Sequence, residues 1–554
     1  MSHSSIEHGS GLNHGVGPVK ASFASNGSPV HDAIVIGAGM AGLSAALHLA
    51  ERGVRPLVLE ADPDYCGGRV CGGDPIAVGD WLFRDEHAVH GIWSPYRNLQ
   101  AMLARLLIRP LFVPAQEERW IYKRGGRAKY ADIGSAIRHS WIPAPFHYLN
   151  LFLRPRFLSM LSFRDWLSLP QVWYGLLFAV AIDPLREAQP LAGLWLDDLV
   201  KDWSPALRAL FIGLARNGLS ARPAEIPLSG FIAFLRFYTL LRRDAWVFSY
   251  LPDDGGTSLI EPMVQKLDCL GGAVENGIRV VQLERHAEGW AMAWQRVGSR
   301  DVKNRRLEGE QALSQRGWLV SKQVILAVDA PAAREILDAS SDLDAAGLDW
   351  PRGMATAVVR FWFDRAPGPG PEAGILSGSV VVDNFFWLHR FQKQYARWHK
   401  ATGGSAIELH IYGPPELLDE PDVVLILRAM SDVQSVFPEL RGHLIHRMLR
   451  RNDATHTLFA VGLPEQRLGI TTPWPGLFCC GDWVRHPSPA FFLERACVTG
   501  IEAANAVLRS RQLPVWPLLD YAGPEPLVGL IERLLQGGRR TLRRFQGNAD
   551  VNVL

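Results

Sequence analysis

The chain has 554 residues, 48% hydrophobic and 21% charged, with a formal net charge of +2. That length supplies two or three domain-sized units and a large core, while the near-neutral charge gives no bulk electrostatic drive toward nucleic acid. The six cysteines show no zinc spacing and a chain this long needs no disulfides, so they read as reduced thiols of a cytoplasmic protein.

Residues 1–30 are rich in Ser, Gly, His and Asn and carry no apolar signal segment, which predicts a disordered lead-in. Globular sequence starts at His31. In DAIVIGAGMAGLSAALHLAERGVRPLVLEAD, the run Ile34–Val35–Ile36 predicts a buried parallel strand. A helix rich in Ala and Leu follows and stops at Gly53, and Leu57–Val58–Leu59 predicts the second strand. Between them Gly37, Gly39 and Gly42 form GxGxxG, with Met40 and Ala41 inside it. The first glycine permits a tight turn, the second lets backbone approach a diphosphate, and the third lets helix and strand pack closely. The helix N-terminus then offers free N–H groups to phosphate. Glu60, followed by Ala61, ends the second strand where a carboxylate takes ribose hydroxyls. This pattern predicts a dinucleotide site but does not by itself separate NAD from FAD.

Residues from about 100 to 240 read as helical, rich in Leu, Phe, Trp and Arg and broken by prolines. Strands return after Val247, at 277–284, 323–328, 354–363 and 405–412, and a Gly-Asp turn leads into a last helix ending near 508. The pattern predicts a nucleotide-binding unit built from 31–105, 245–350 and 470–510, a second unit from 106–244 and 351–469, and a basic tail from 511 to 554.

Three further segments carry a resemblance. Gly67, Gly68 and Arg69 follow Glu60, GLFCCGDWV contains Gly481 and Asp482, and FFLERACVTGIEAAN opens the last helix. Together with the glycine turn they resemble the FAD-dependent amine oxidase and phytoene desaturase superfamily. The resemblance implies an α/β fold: a Rossmann-like domain of the glutathione-reductase type, with an inserted α+β substrate domain. It also implies FAD as cofactor. Arg69 and Gly67–Gly68 would lie along its diphosphate, Asp482 near the ribityl chain, Val280 against the adenine, and Glu494 and Arg495 at the flavin end of the last helix. Amine oxidases of the family carry a cage tyrosine and a substrate-strand lysine. Here those positions hold Phe492 and, in MATAVVRFWFD, only Arg360. The segments FRDEHAVHGIWSPYRNL and FFWLHRFQKQYARWHKATGGSAIELHIYGP look similar to isorenieratene synthases, which aromatise a carotenoid end ring by desaturation and methyl migration. The expected activity is therefore hydride removal from a lipophilic polyene, with oxygen or a quinone as electron acceptor. A flavin amine oxidase and a flavin-binding assembly protein without turnover are the alternatives.

Such chemistry favours aromatic faces and a proton acceptor near the reacting carbon. Phe361, Trp362, Trp387, Phe491 and Phe492 are the candidate pocket aromatics, although each taken singly is more simply a core residue. Glu494, His90, Glu408 and His410 are the candidate acid–base groups. In SAIELHIYG, Glu408, His410 and Tyr412 share one strand face, and Ile407, Leu409 and Ile411 the other. Residues 146–182 mix apolar and aromatic side chains with Arg154, Arg156 and Arg164, and the tail sets Arg539, Arg540, Arg543 and Arg544 beside Leu542 and Phe545. Both segments suit a membrane surface, and the first suits equally a buried helical lid.

Overall fold

The computed structural model describes residues 30–187, 191–298, 315–461 and 466–546, the side chains of 217 and 541–546 excepted. Of the predicted lead-in only Val30 falls among them, and it pairs in parallel with Val320. The tail residues Leu542, Arg543, Arg544 and Phe545 lie outside the described side chains.

The glycine turn follows the central strand of a five-stranded sheet ordered Ala273–Glu275, Pro56–Leu59, Ala33–Ile36, Val324–Leu326, Leu477–Cys479. Every pairing is parallel, so the chain must leave and return for each strand. Both faces are covered, which is why these strands read as unbroken apolar runs. Ala33, Val35 and Val58 face the helix Met40–Ala50 and the last helix, Phe492–Ser510. Ile34, Ile36, Leu57 and Leu59 face a four-stranded sheet that includes Ile278–His286 and Gly289–Arg296. The two helices approach so closely that a Cβ on Gly500 would lie 2.4 Å from the Ala41 carbonyl oxygen.

A second sheet has seven strands, ordered Leu444–Thr457, Gly353–Phe363, Ser405–Ile411, Asn384–Trp387, Ala373–Gly378, Glu118–Arg124, Arg127–Asp132. Its last two strands correct the reading of 100–240 as helical. Gly125 and Gly126 (φ +57° and +76°) make a two-residue hairpin turn between them, the conformation that such a loop demands. One face of this sheet packs on the helix Asp422–Val436. Helices Phe163–Ala181, Pro205–Leu219 and Leu228–Leu235 contribute to the large core that also holds the helices Met40–Ala50 and Phe492–Ser510.

Candidate functional site

A single cavity of about 670 Å³ runs from the glycine turn to the seven-stranded sheet. At its nucleotide end the three glycines have three different surroundings. Gly37 has φ +103°, and a Cβ there would meet the Ala327 oxygen at 2.9 Å. A Cβ on Gly42 would lie 1.9 Å from the Gly37 oxygen, whereas above Gly39 the space is open. Gly39 also caps the helix Met40–Ala50 with no side-chain bond and no acid in its first turn, leaving the N–H groups available to an anion. Gly37, Gly39, Met40 and Ala41 line the cavity; Gly42 is packed behind the turn.

Glu60 is fixed by two backbone donors, Ala38 N to Oε2 at 2.8 Å and Asp62 N to Oε1 at 2.9 Å. Gly67 (φ +111°) donates its N–H to the Ala38 oxygen at 2.9 Å, bringing the Gly67–Gly68–Arg69 loop against the turn. Arg69 Nη2 pairs with Asp482 Oδ2 at 2.6 Å, across 413 residues of chain. Glu60, Ala61, Gly67, Gly68, Arg69, Val280, Gly481 and Asp482 all line the same cavity. A tight turn, an open helix end, a backbone-held carboxylate and an arginine thus converge on one cavity, a set that suits a diphosphate-linked dinucleotide.

The acid–base candidates separate. His90 and His410 line the cavity. Glu408 lies just behind it, wholly buried between His410 and Arg360. Glu494 does not line the cavity. It is wholly buried and caps another helix, Arg97–Arg105, accepting from Asn98 N and Leu99 N at 2.9 Å each and from Tyr521 Oη at 3.1 Å. Arg495 likewise turns away from the cavity. It donates to the carbonyls of Asp482, Val484, His486 and Ser488, fastening the loop behind the Gly-Asp turn. Burial lowers its guanidinium to about 10.

Four of the five aromatic candidates are corrected as well. Phe361 and Trp387 face the Asp422–Val436 helix on the far side of the sheet. Trp362 packs against Phe83 and Tyr395. Phe491 lies on Phe459 in the core, with ring centroids 4.0 Å apart. Phe492 does line the cavity, held at φ +52° and stacked on His456 with centroids 6.0 Å apart. The sheet presents Thr356, Val358, Asn384, Phe386, His410 and Tyr412 to the cavity, and the opposite wall includes Leu214, Phe234, Trp246 and Phe248.

His87 and His456 were not among the candidates. They join His90 on the cavity wall. Burial first, and the nearby Arg69 charge next to it for His456, lowers His456 to about 4; burial lowers His90 to about 4 as well, and His87 well below the usual imidazole value. Three neutral imidazoles thus border the nucleotide end. His456 sits on the long strand Leu444–Thr457, whose mixed polar pattern gave no strand signal.

A family model described as flavin containing amine oxidoreductase matches residues 40–508. Among curated proteins, the carotenoid phi-ring synthase of Chlorobaculum tepidum is 25% identical, over 88% of this chain and 90% of its own length. That of Streptomyces griseus is 26% identical, over 86% and 87%. Among solved structures, cyclohexylamine oxidase from Brevibacterium oxydans superimposes with a TM-score of 0.59 at 15% identity, over 87% of this chain and 100% of that one.

Proposed function

Because the chain belongs to the flavin-containing amine oxidoreductase family, we propose that its cofactor is FAD and that it oxidises a carotenoid, aromatising an end ring with migration of a methyl group. The observation that carries this reading is the single cavity that joins the diphosphate cradle to an apolar, aromatic chamber. The names of the two phi-ring synthases support the substrate class.

In this reading Gly37, Gly39, Met40 and Ala41 hold the diphosphate on the helix end, and Arg69 adds its charge beside Gly67 and Gly68. Glu60 and Ala61 take the ribose, Val280 the adenine, and Gly481 and Asp482 the ribityl chain. The bound flavin supplies a two-electron acceptor for hydride from a substrate C–H bond. The chain's own part is to hold that carbon in place, exclude water and favour the cation left behind. Phe386 and Phe492 offer aromatic faces for it. Glu118, an acid on the cavity wall, is tied to Arg138 at 2.8 Å, so it does not trap the cation before a methyl group shifts to the neighbouring ring carbon and a proton leaves.

The polyene would reach the site from lipid. The helix Phe163–Ala181 carries Phe163 (77% exposed), Trp166, Leu167 (61%) and Tyr174 on its outer side, while Val172, Leu176, Ala179 and Val180 of its inner side are buried. This outward apolar stripe has exposed Arg154, Arg156 and Arg164 around it, suited to anionic headgroups. No helix among the described residues is long and apolar enough to cross a membrane. The apolar stripe and its arginines support the reading of a cytoplasmic protein peripheral to the membrane. In the tail helix Pro526–Gln546, Arg539 is tied to Glu187 and the Ala181 carbonyl, so that residue is not free for headgroups.

The test is incubation of purified, flavin-loaded enzyme with monocyclic and bicyclic carotenes in anionic liposomes, with oxygen or a quinone as acceptor. Products with an aromatic end ring are expected. Inertness toward every cyclic carotene, with peroxide released from amines, would move the protein to the amine oxidases. Failure of the flavin to be reduced by either class would leave a binding protein.

A further inference from the structure

The strand Ser405–Ile411 places Glu408 and His410 on one face, and Tyr412 follows at the same two-residue step. Their side chains are joined end to end. His410 Nδ1 lies 2.8 Å from the Tyr412 hydroxyl, and His410 Nε2 lies 2.7 Å from Glu408 Oε1. Glu408 Oε1 also accepts the Val89 N–H at 2.7 Å, while Oε2 takes Arg360 Nε at 2.6 Å. Arg360 and Glu408 are both wholly buried.

Charge in this cluster is settled by its surroundings. Burial alone would raise the Glu408 carboxyl, but the Arg360 charge and the His410 bond outweigh it and hold it well below the usual carboxylate range. Glu86, 3.6 Å from the same guanidinium, is pushed up to about 8 by burial. One guanidinium therefore faces a carboxylate that it holds ionised and a second carboxyl that burial pushes toward its neutral form. An ionised Glu408 only accepts hydrogen bonds, so the His410 tautomer that carries one proton has it on Nε2, facing Glu408 Oε1. Its Nδ1 keeps a lone pair, and the Tyr412 O–H donates to it. The row runs from a buried cation to a phenol. Tyr412, its one member with appreciable surface, lines the cavity.

We propose that this row is the proton exit of the site: Tyr412 Oη accepts the proton that leaves the substrate, as the Tyr412 hydroxyl proton passes to His410 Nδ1. The inference rests on the polyene-oxidation reading above. Once hydride has left, the substrate framework carries one positive charge. The C–H bond next to the cationic centre breaks and its electron pair becomes the new π bond. The proton forms an O–H bond at Tyr412, the former O–H bond breaks, and an N–H bond forms at His410 Nδ1. The positive charge finishes on an imidazolium beside the Glu408 carboxylate, which neutralises it, and Arg360 keeps that carboxylate ionised. Burial raises the Tyr412 phenol above its ordinary value, so a free tyrosinate is disfavoured and the two transfers occur together. The proton returns through Tyr412 to water when product departs. Tyr412 is the catalytic residue here, and His410, Glu408 and Arg360 act through it.

The decisive variant is His410→Gln. Its amide donates to Glu408 and accepts from Tyr412, keeping both bonds, but it does not hold a proton. With the flavin-loaded full chain and β-carotene as probe, kcat is expected to fall about 10²–10⁴-fold, the usual contribution of general acid–base catalysis, with KM and flavin content unchanged. Tyr412→Phe should fall comparably. A second readout needs no turnover. Nitrogen NMR of ¹⁵N-histidine-labelled holoenzyme should show His410 protonated at Nε2, with an Nδ1 resonance that moves in Tyr412→Phe. Wild-type kcat in His410→Gln, or a proton resident on Nδ1 in the native protein, overturns the proposal. Inertness of the native enzyme toward β-carotene instead overturns the substrate reading, and the NMR arm then still decides whether the row is built to pass a proton.

Discussion

Glu494 is the carboxylate that the sequence offers most readily to the pocket, and the structure gives it a different task that removal would expose. The helix Arg97–Arg105 begins at Tyr96 with no side-chain cap. Its Asn98 and Leu99 N–H groups are instead satisfied by Glu494 Oε1 and Oε2, each at 2.9 Å. Asn98 Nδ2 and Tyr521 also donate to Glu494, but keep Leu519 O and Ser488 Oγ as other partners. Glu494→Ala therefore orphans two buried backbone donors. At about 1–3 kcal/mol each, the loss is about 2–6 kcal/mol, reduced by relief of a carboxyl that burial pushes upward. Glu494→Gln keeps one acceptor and points its amide at the other donor, so about 1–3 kcal/mol is expected. The assay is urea unfolding followed by fluorescence, with flavin content and turnover per bound flavin measured on the same preparations. Both variants should unfold earlier, and the glutamine variant should keep its turnover per flavin. A glutamine variant as stable as the native protein but a hundredfold slower would place the carboxylate in the chemistry and refute the capping argument.

Gly42→Ala sets a Cβ 1.9 Å from the Gly37 oxygen, so the turn must move. Loss of one hydrogen bond to a charged phosphate, about 1.5–3 kcal/mol, should weaken flavin retention roughly 10–150-fold, read by titrating flavin into stripped protein. Arg360→Met leaves Glu408 buried without its cation and should destabilise the protein by about 3–5 kcal/mol. Arg360→Met combined with Glu408→Gln should recover most of that in the same unfolding assay, and no recovery would show that the pair's charge is not the issue. Asp165 closes a capping box on the helix Phe163–Ala181 and accepts from Ser204. Burial would raise its carboxyl, but the bonds from Ser162 and Ser204 hold it lowered. A lowered folded value means that the stabilisation is full above the unfolded carboxylate pKa of about 3.9 and is lost as pH falls through the folded value. The gap between native and Asp165→Ala stability should thus be flat, at about 0.5–2 kcal/mol, from pH 8 to 5, and close in more acid solution. A gap that widens on acidification would contradict the assignment.

The nucleotide end was legible because its requirements are local. The spacing of three glycines and the acid ending the next strand are dictated by a diphosphate and a short βαβ path, and residues 37–60 carry them without help from distant sequence. The Arg69–Asp482 pair and the Glu494 cap span 413 and 396 residues. No periodicity in either segment announces such a partner. The hairpin Glu118–Asp132 was missed because its strands are charged on their exposed side, although the Gly125–Gly126 pair was a turn signal in plain sight.

The pocket aromatics are sorted by strand alternation, which the sequence carries, and by strand register, which it does not. Neighbours on a strand face opposite ways, so Phe361 and Trp362 never share a wall, nor do Phe386 and Trp387. Which of each pair faces the chamber is set by register with Ser405–Ile411. Phe386 stands opposite Glu408 and Trp387 opposite Ile407, while Val358 stands opposite His410 and Phe361 opposite Ile407. The strand's only ionisable side chains, Glu408 and His410, mark the face turned toward the chamber; its isoleucines mark the face against the helix. That one parity assigns Phe386 and Val358 to the cavity, and Phe361 and Trp387 to the helix-side core, across three strands. The sheet's polar row is therefore its address: the residues that carry charge through the core also fix which side of every neighbouring strand meets the substrate.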